Sequence, residues 1–447
     1  MRSKWINRVL SVALLFTTLS ASVSYTFTTA YAEEAGASTQ QSAQSGVSWP
    51  EAPEISAGNG ILIDADTGAI LYEKNAYTKC YPASTTKILT GLLTVENCSM
   101  DETVSFSRAA ANSVTWEDSN LATKVGEQYT VEQALYGLLL YSANEIAYGL
   151  AEHVGGSLEN FVEMMNARAR ELGAVNTHFA NASGLYDPNH YTTAYDMALI
   201  GAAVYQKEAF RTISQTLTHQ IPATNLVNEV RTVNQKHKML WPQNANYYEY
   251  CKGGKTGYTD QARTTLVTMA DNGEMQLVAV VLYDFGSDAY KDTREIFDYG
   301  FNNFSKIMLK DQEKADGVKE YKDEENVYVV LPSDVKFSDL KAEVKSKDGS
   351  VNEGTVTYTY EGQIMGKADV TLDNKKLAEK SAITKGTDKT AITTDTKEKE
   401  SRPLVLMAVI AVVSVIVAAV VLWIKYKQTR GRKHRRKRRG RKRKKLD

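Results

Sequence analysis

Three short motifs, far apart in the sequence, place the strongest constraint on how this 447-residue chain can fold. They are Ser84-Thr-Thr-Lys87, Ser142-Ala-Asn144 and Lys255-Thr-Gly257. Each is common alone, but in this order they describe a nucleophilic serine with groups that move a proton and hold a substrate. The fold must therefore bring three distant segments to one cleft.

In the first motif, Ser84 and Lys87 are three residues apart, which on a helix places them on one face, one turn apart. A lysine with an ordinary pKa of about 10.4 is a poor base at neutral pH, so burial or a nearby cation must lower its pKa. A serine at a helix N-terminus would also have free backbone N–H groups to stabilise an oxyanion. The alternative is an exposed helix start without a catalytic role.

The other two motifs also have a catalytic and a structural interpretation. Ser142 can relay a proton to a leaving amine, and Asn144 can hold a substrate carbonyl and contact the lysine of the first motif; alternatively, both residues cap the next helix. On a strand, Lys255 and Thr256 supply a cation and a hydroxyl for a carboxylate, and Gly257 lets the substrate approach the backbone closely. The alternative there is an ordinary strand edge. The correct order of all three motifs favours catalysis.

The N-terminus predicts a secretory signal peptide at residues 1–32. Basic residues precede an apolar run at 9–19, and Ala30-Tyr31-Ala32 matches a cleavage site. The alternative is an uncleaved membrane anchor, although hydroxyl residues interrupt the run. Residues 33–50 are rich in Ser, Gln, Ala and Gly and predict a flexible leader.

A second apolar run at 404–424 has 21 residues without a charge. At 1.5 Å per residue, a helix of this length spans a hydrocarbon core of about 30 Å. Residues 425–447 then carry fifteen Lys and Arg against one acid, which places the tail in the cytoplasm. We therefore predict a single-pass protein of the cell membrane with an extracellular catalytic domain; the alternative for this run is a buried helix.

The basic tail also suits nucleic acid. However, residues 430–445 contain no aromatic residue and directly follow the predicted span, which favours contact with anionic lipid. We therefore expect the membrane, and no nucleic acid, as a partner of this tail.

The cysteine and histidine pattern predicts neither a metal site nor a cofactor. Cys80, Cys98 and Cys251 are odd in number and too few for a disulfide framework, so unpaired thiols are expected and one disulfide stays open. No metal-ligand spacing surrounds His190, which favours a structural role in a loop.

Periodicity predicts an α+β fold: an antiparallel sheet with flanking helices and a helical subdomain, followed by a small all-β domain and a transmembrane helix. A hairpin is expected at 60–73, helices at 84–98, 131–152, 158–172, 195–205 and 290–304, and strands at 264–270 and 275–283. The predicted organisation is a signal peptide (1–32), leader (33–50), catalytic domain (51–308), small all-β domain (316–374), disordered stalk (375–403), transmembrane helix (404–424) and basic cytoplasmic tail (425–447).

The motifs, with supporting strings such as Phe179-Ala-Asn-Ala-Ser-Gly-Leu185, resemble the low-molecular-mass penicillin-binding proteins of the D-alanyl-D-alanine carboxypeptidase family over roughly residues 50–375. The resemblance implies a β-lactamase/transpeptidase-like fold and removal of the terminal D-alanine from peptidoglycan stem pentapeptides. It implies an acyl-enzyme on Ser84 with Lys87 as the base, and an oxyanion hole formed by the N–H groups of Ser84 and Tyr258. It also implies covalent inhibition by β-lactams.

Two departures from the family concern carboxylate binding. The family often has glycine where Arg263 stands, and an arginine expected near the last helix has only Lys291 and Arg294 as candidates. The sequence therefore leaves the basic residue that assists Lys255 unassigned.

Two alternative functions remain at this point. A serine β-lactamase needs a carboxylate to activate the deacylating water, and Glu163 with Asn166 offers one only inside a predicted regular helix. A non-catalytic peptidoglycan-binding protein would not need Ser84, Lys87 and Lys255 intact.

Overall fold

The computed structural model describes residues 49–115, 117–347 and 350–373. The predicted signal peptide, stalk, transmembrane helix and basic tail lie outside these residues, as does nearly all of the leader. Within the described ranges, no helix combines the length and apolar character that a bilayer crossing requires.

Fifteen strands are present in the described part of the chain. They are β1 (Asn59–Asp64), β2 (Ile70–Lys74), β3 (Thr103–Ser105), β4 (Gln128–Thr130), β5 (Thr218–Ile221), β6 (Arg231–Asn234), β7 (Cys251–Thr259), β8 (Arg263–Asp271), β9 (Gln276–Asp284), β10 (Phe304–Met308), β11 (Val318–Tyr321), β12 (Tyr328–Pro332), β13 (Lys341–Ser346), β14 (Glu353–Tyr360) and β15 (Gln363–Leu372).

Eight α-helices accompany them within the same ranges. They are α1 (Lys87–Asn97), α2 (Arg108–Ala111), α3 (Val131–Tyr136), α4 (Asn144–Gly155), α5 (Leu158–Glu171), α6 (Ala194–Tyr205), α7 (Glu208–Gln215) and α8 (Asp288–Asn303).

The main sheet is antiparallel, with the strand order β2-β1-β9-β8-β7. Side chains alternate between the two faces of a strand, and both faces of the central strand, β9, are buried. Val278, Val280 and Leu282 pack into the core shared with the helical subdomain. Their neighbours Leu277, Ala279 and Val281 pack into a second core beneath α8. The expected α+β fold, a sheet with helices on its faces, is therefore confirmed, and β7 is left at the sheet edge beside the helical subdomain.

The nucleophile segment differs in detail from the predicted helix at 84–98. Ser84 lies in a 3₁₀ turn, Ala83–Thr86, and α1 begins only at Lys87. Ala83, immediately before the serine, has φ of 50°, in the left-handed region. The tight turn fixes the backbone on both sides of the serine.

The region predicted to be helical at 131–152 is divided at the second motif. A π-helical turn, Gly137–Tyr141, follows α3, and Ser142 then takes φ 67° and ψ 30° before α4 starts at Asn144. A left-handed residue ends a helix because the regular backbone path cannot continue through it. The break turns the second motif toward the first.

The C-terminal part of the described chain is built from strands. A four-stranded sheet has the order β11-β15-β14-β13, and β12 pairs with β10 in a separate two-stranded sheet. The Tyr328 hydroxyl bonds to Asp64 Oδ1 at 3.1 Å and to Asp66 Oδ2 at 2.7 Å, next to the turn after β1. These bonds tie β12 to the main sheet. The domain limits at 308 and 316 stay predictions.

All three cysteines are free thiols. Cys80 Sγ donates to Asn59 Oδ1, and burial raises the pKa of Cys80 to about 11. Burial also raises the pKa of Cys251 to about 12. Both thiols are therefore neutral at physiological pH and poor nucleophiles, in line with the expected structural role.

Candidate active site

The first two motifs meet at the side chain of Lys87. Its Nζ lies 3.1 Å from Ser84 Oγ and donates to Asn144 Oδ1 and to the Ser183 carbonyl oxygen, at 2.6 Å each. The lysine is fully buried at the start of α1. Two acceptors thus hold the amine, and the third contact points it at the serine hydroxyl.

The environment of Lys87 favours its neutral form. Burial is the main cause that holds the pKa of its amine well below the usual value, and the positive charges of Lys255 and Lys236 add to the effect. Both causes that the sequence analysis named for a proton-accepting lysine, burial and nearby positive charge, are therefore present.

A loop between α5 and α6 supplies the carbonyl that holds Lys87. The Asn181 side-chain oxygen accepts from the N–H groups of Ser183 and Gly184 and folds the loop back on itself. Gly184 has φ of 85°, and a Cβ there would lie 1.9 Å from the Ala83 carbonyl oxygen. Only glycine allows this close approach to the nucleophile turn.

His190 belongs to the support of this loop. It is buried, its Nδ1 accepts from the Ala180 N–H, and its Nε2 lies 2.8 Å from Thr86 Oγ1. Burial lowers its pKa to about 4, so the ring is neutral. With Nδ1 as the acceptor, Nε2 carries the proton and donates to Thr86, which is the structural role expected for His190.

The third motif lies on the edge strand β7, directly against the nucleophile turn. A Cβ added to Gly257 would lie 2.8 Å from the Ser84 backbone N and 2.4 Å from Thr265 Oγ1. Thr265 in turn donates to the Pro82 carbonyl oxygen at 2.9 Å. The glycine is therefore required by the packing of β7 against the residues just before Ser84.

Lys255 is buried beside this contact and donates to the Thr256 carbonyl oxygen at 2.8 Å. Burial, followed by the charge of Lys236, lowers its pKa to about 7. A bound carboxylate would raise this pKa again, because an opposite charge stabilises the ammonium form. The site is thus arranged to take up an anion.

The two remaining candidates, Ser142 and Tyr258, lie close in sequence to the residues of the second and third motifs described above. Ser142 is buried at the left-handed position between the π-helical turn and α4, two residues before Asn144. Tyr258 follows Gly257 on β7, and its side chain is 62% exposed with its hydroxyl 3.3 Å from Asp260 Oδ1. A role for Tyr258 in the chemistry would therefore be carried by its backbone.

Lys236 is a residue that the sequence analysis did not identify. It follows β6, its Nζ lies 2.7 Å from Ser119 Oγ, and its ammonium lies 4.7 Å from the centre of the Tyr141 ring, next to Ser142. Its charge is felt by both Lys87 and Lys255. No motif surrounds it, so only the folded chain reveals it as the third lysine of the cleft.

The basic candidates from the sequence are engaged elsewhere. Lys291 pairs with Glu295 at 3.7 Å, and Arg294 donates to the Tyr247 carbonyl oxygen and lies over the Tyr248 ring. Arg263 has φ of 57° at the start of β8 and lies over the Phe285 ring. Of these basic residues, Lys236 is the one whose charge lowers the pKa values of both Lys87 and Lys255.

Glu145, directly after Asn144, is a second residue that the motifs did not single out. Its Oε1 accepts from the Leu121 N–H at 2.6 Å and from Thr123 Oγ1 at 3.0 Å. In the same loop, the Ser119 carbonyl oxygen accepts from the Asn144 N–H at 2.8 Å. Glu145 therefore fastens the segment that carries Ser119, the partner of Lys236, over the start of α4.

A serine beside a buried lysine of lowered pKa, with a second buried lysine on the adjacent edge strand, is the arrangement of a serine acyl-transfer enzyme of the penicillin-binding class. The family model of D-alanyl-D-alanine carboxypeptidases matches residues 46–286. The chain belongs to this family of serine peptidases, as its motifs predicted.

Curated relatives and solved structures agree with this. The D-alanyl-D-alanine carboxypeptidase DacF of Bacillus subtilis is 30% identical over 344 residues, covering 70% of this chain and 84% of the relative. Penicillin-binding protein 6B from Escherichia coli is 26% identical with a TM-score of 0.56, covering 72% of this chain and 97% of that one. The Streptomyces K15 DD-transpeptidase is 29% identical with a TM-score of 0.53, covering 57% of this chain and 100% of that one.

Proposed function

We propose that this chain removes the terminal D-alanine from peptidoglycan stem pentapeptides through an acyl-enzyme on Ser84, and that penicillins trap the same serine. The observation that carries the proposal is the 3.1 Å contact between Ser84 Oγ and the Lys87 amine, whose pKa is held well below its usual value. A neutral amine at this distance can accept the hydroxyl proton as the oxygen attacks.

The first half of the reaction forms an ester and releases D-alanine. Ser84 Oγ adds to the carbonyl carbon of the D-Ala-D-Ala bond while Lys87 takes its proton, and the N–H groups of Ser84 and Tyr258 stabilise the oxyanion. As the C–N bond breaks, Ser142 gives its hydroxyl proton to the leaving nitrogen and takes the proton held by Lys87, which returns Lys87 to its neutral form. Asn144 holds the substrate amide and the Lys87 amine. In the second half, water attacks the ester carbonyl and loses a proton to Lys87. Lys87 then returns that proton to Ser84 Oγ as the ester C–O bond breaks, which frees the serine and the shortened peptide.

Substrate orientation comes from the carboxylate of the terminal D-alanine. Lys255 and Thr256 bind it on β7, and Lys236 adds a second positive charge from the opposite side of the cleft. Gly257 leaves room for the substrate backbone beside Ser84. The binding of an anion also keeps Lys255 protonated, although its pKa in the free enzyme is only about 7.

The residues offered for a β-lactamase have other surroundings. Both lie in the regular helix α5. Glu163 is exposed, and Asn166 exchanges hydrogen bonds of 2.8 Å with the backbone N–H and carbonyl of Phe179. Asn166 therefore anchors the loop that holds Lys87 and is not free to orient a deacylating water. This supports slow release of penicillin and carboxypeptidase activity.

The chain is further proposed to act at the outer face of the cell membrane. A signal peptide at 1–32, a stalk at 375–403, a span at 404–424 and a basic tail at 425–447 would secrete the catalytic domain and hold it near the wall polymer. Protease protection in spheroplasts tests this: a catalytic domain that is digested from outside, with a protected C-terminal tag, is the expected result.

Penicillin labelling tests the chemistry. We expect wild-type protein to gain the mass of one penicillin, with the adduct mapped to the peptide that contains Ser84, and to release D-alanine from a pentapeptide. Ser84→Ala should lose both and keep the thermal unfolding midpoint. Wild-type protein without an adduct, or with rapid turnover of penicillin, would refute the proposal.

A further inference from the structure

A pocket of about 420 Å³ lies at one end of the main sheet, close to the nucleophile turn. Its walls include Lys79 and Tyr81, Tyr191 from the loop before α6, Gln261 from the β7–β8 turn, and Tyr283 at the end of β9. We call this cavity the Tyr81 pocket. None of these residues takes part in the chemistry proposed for Ser84.

The Tyr81 pocket is connected to the catalytic site through two segments of chain. Tyr81 is three residues before Ser84, and Gln261 lies in the turn that immediately follows β7. Along β7 the order is Lys255, Gly257 beside Ser84, and then Tyr258. A substrate whose carboxylate lies at Lys255 and whose scissile carbonyl lies at Ser84 therefore extends its earlier residues past Tyr258, toward Gln261.

The chemistry of the Tyr81 pocket suits an acidic peptide segment. The Lys79 ammonium lies 4.1 Å from the centre of the Tyr191 ring. No carboxylate of the described residues forms an ion pair with it. The ring of Tyr81 contacts that of Tyr186 edge to face at 5.2 Å, which gives the rim an apolar wall. The cation is therefore available to a ligand, and the rings offer surface for peptide backbone.

From these observations we propose that the Tyr81 pocket is a subsite for the part of the stem peptide that precedes D-Ala-D-Ala, and that Lys79 pairs there with a carboxylate of that part. The inference rests on the proposed function, because it uses the direction in which that substrate lies on β7. The scissile carbonyl belongs to the fourth residue of a pentapeptide, and we place the carboxylate on the second residue, about 7 Å further along an extended chain.

Two N-acetylated pentapeptides that end in D-Ala-D-Ala and differ only in glutamate or glutamine at position two test the assignment. For wild-type protein we expect kcat/KM to be about fivefold higher with glutamate, the size of a good exposed ion pair. Lys79→Gln should abolish the preference, and Lys79→Glu should reverse it. Lys319→Gln, an exposed lysine on β11, is the matched control and should keep the wild-type ratio.

The outcomes separate the subsite from the catalytic proposal. An N-acetylated tripeptide ending in D-Ala-D-Ala and covalent penicillin labelling report the chemistry at Ser84 alone. If wild-type protein processes the tripeptide but shows equal kcat/KM for both pentapeptides, or if Lys79→Glu keeps the glutamate preference, the subsite is refuted while the proposed function stands. If neither substrate nor penicillin reacts, the proposed function fails first.

Discussion

Replacement of Gly257 by alanine tests whether β7 and the nucleophile turn form one rigid unit. The new Cβ would lie 2.8 Å from the Ser84 nitrogen, 2.4 Å from Thr265 Oγ1 and 3.1 Å from the Ala83 Cβ. An ordinary contact needs at least 3.4 Å, so the shortfall at the Ser84 nitrogen is roughly 0.6 Å. Thr265 cannot rotate away freely, because its hydroxyl is bonded to Pro82.

Two magnitudes follow from this geometry. Overpacking of a tight interior contact costs about 1–3 kcal/mol of folding free energy, which lowers the unfolding midpoint by a few degrees in a chain of this size. Loss of one oxyanion donor costs about 10²- to 10³-fold in rate. Since the methyl group pushes on the N–H proposed as such a donor, Gly257→Ala should lose rate far beyond what its loss of stability explains.

The assay is the second-order rate of acylation by a fluorescent penicillin, with thermal unfolding measured on the same samples. Gly300→Ala is the matched control, because a Cβ there would lie 2.5 Å from Leu62 Cδ2 and 3.0 Å from Leu277 Cδ1, in the core beneath α8. The control adds the same methyl group to a buried glycine of α8 and should stay within about threefold of the wild-type acylation rate. If Gly257→Ala acylates as fast as Gly300→Ala, the oxyanion hole is not built at this contact and the reasoning is wrong.

Three further changes test the surroundings of the site. Because the pKa of Lys255 is about 7, kcat/KM for carboxypeptidase activity should fall above pH 7. The charge of Lys236 helps to lower this pKa, so Lys236→Gln should move the fall to higher pH as well as reduce the rate. If the alkaline side of the pH profile does not move in this variant, the two lysines are not coupled. Glu145→Ala should destabilise the fold by about 1–3 kcal/mol, since it leaves the Leu121 N–H unpaired and removes one hydrogen-bond partner of the Thr123 hydroxyl. Glu145→Gln keeps an acceptor oxygen, and equal denaturant midpoints for the two variants would refute this. Asp284 is buried, and burial raises its pKa to about 7. The stability that its neutral carboxyl provides is therefore complete below about pH 4 and is lost as pH rises toward 7. The unfolding midpoint of Asp284→Asn should rise relative to that of wild type between pH 5 and 8, and a difference between the two midpoints that stays constant with pH would count against this.

Local sequence patterns predicted helices and strands well where the same pattern of burial continues along the whole element. The helix expected at 158–172 is observed as α5, and the strands expected at 264–270 and 275–283 are observed as β8 and β9, with bounds that differ by one residue. One apolar stripe of α5 is buried, whereas the continuous apolar runs of β8 and β9 are buried on both faces of the sheet, so each sequence pattern reports how its element is buried.

The same patterns do not show the backbone conformation at the second motif. Residues 131–152 have an apolar helical pattern on both sides of this motif, and the chain leaves the helical path at Ser142. Nothing in the helical period distinguishes this position, since its neighbours on both sides are buried in the same core. The left-handed turn is explained by tertiary contacts: the Asn144 N–H bonds to the Ser119 carbonyl oxygen, and its side chain bonds to Lys87.

Likewise, motif spacing predicted contacts only between residues of the same motif. The contact of Lys87 with Ser84 follows from a separation of three residues, whereas Lys236 and Asn181 reach the site from loops with no such spacing. Asn181 lies within a string that supported the family resemblance, but its task of bonding to the Ser183 and Gly184 N–H groups is visible only in the folded loop. Residues that position others leave weaker sequence signals than those that react.

The charge states of the three lysines of the cleft depend on one another. Lys87 must be neutral to act as a base, and Lys255 must be charged to bind a carboxylate, yet both are buried and each is affected by neighbouring positive charge. In the free enzyme this arrangement is unfavourable, because like charges share a site of low polarity. An entering carboxylate relieves the repulsion, restores the charge of Lys255, and leaves Lys87 the easiest amine to keep neutral. In the proposed mechanism, the anion that orients the substrate therefore separates the roles of the two lysines: Lys255 is the charged group that binds the carboxylate and Lys87 is the neutral base. A ligand without a carboxylate gains neither effect.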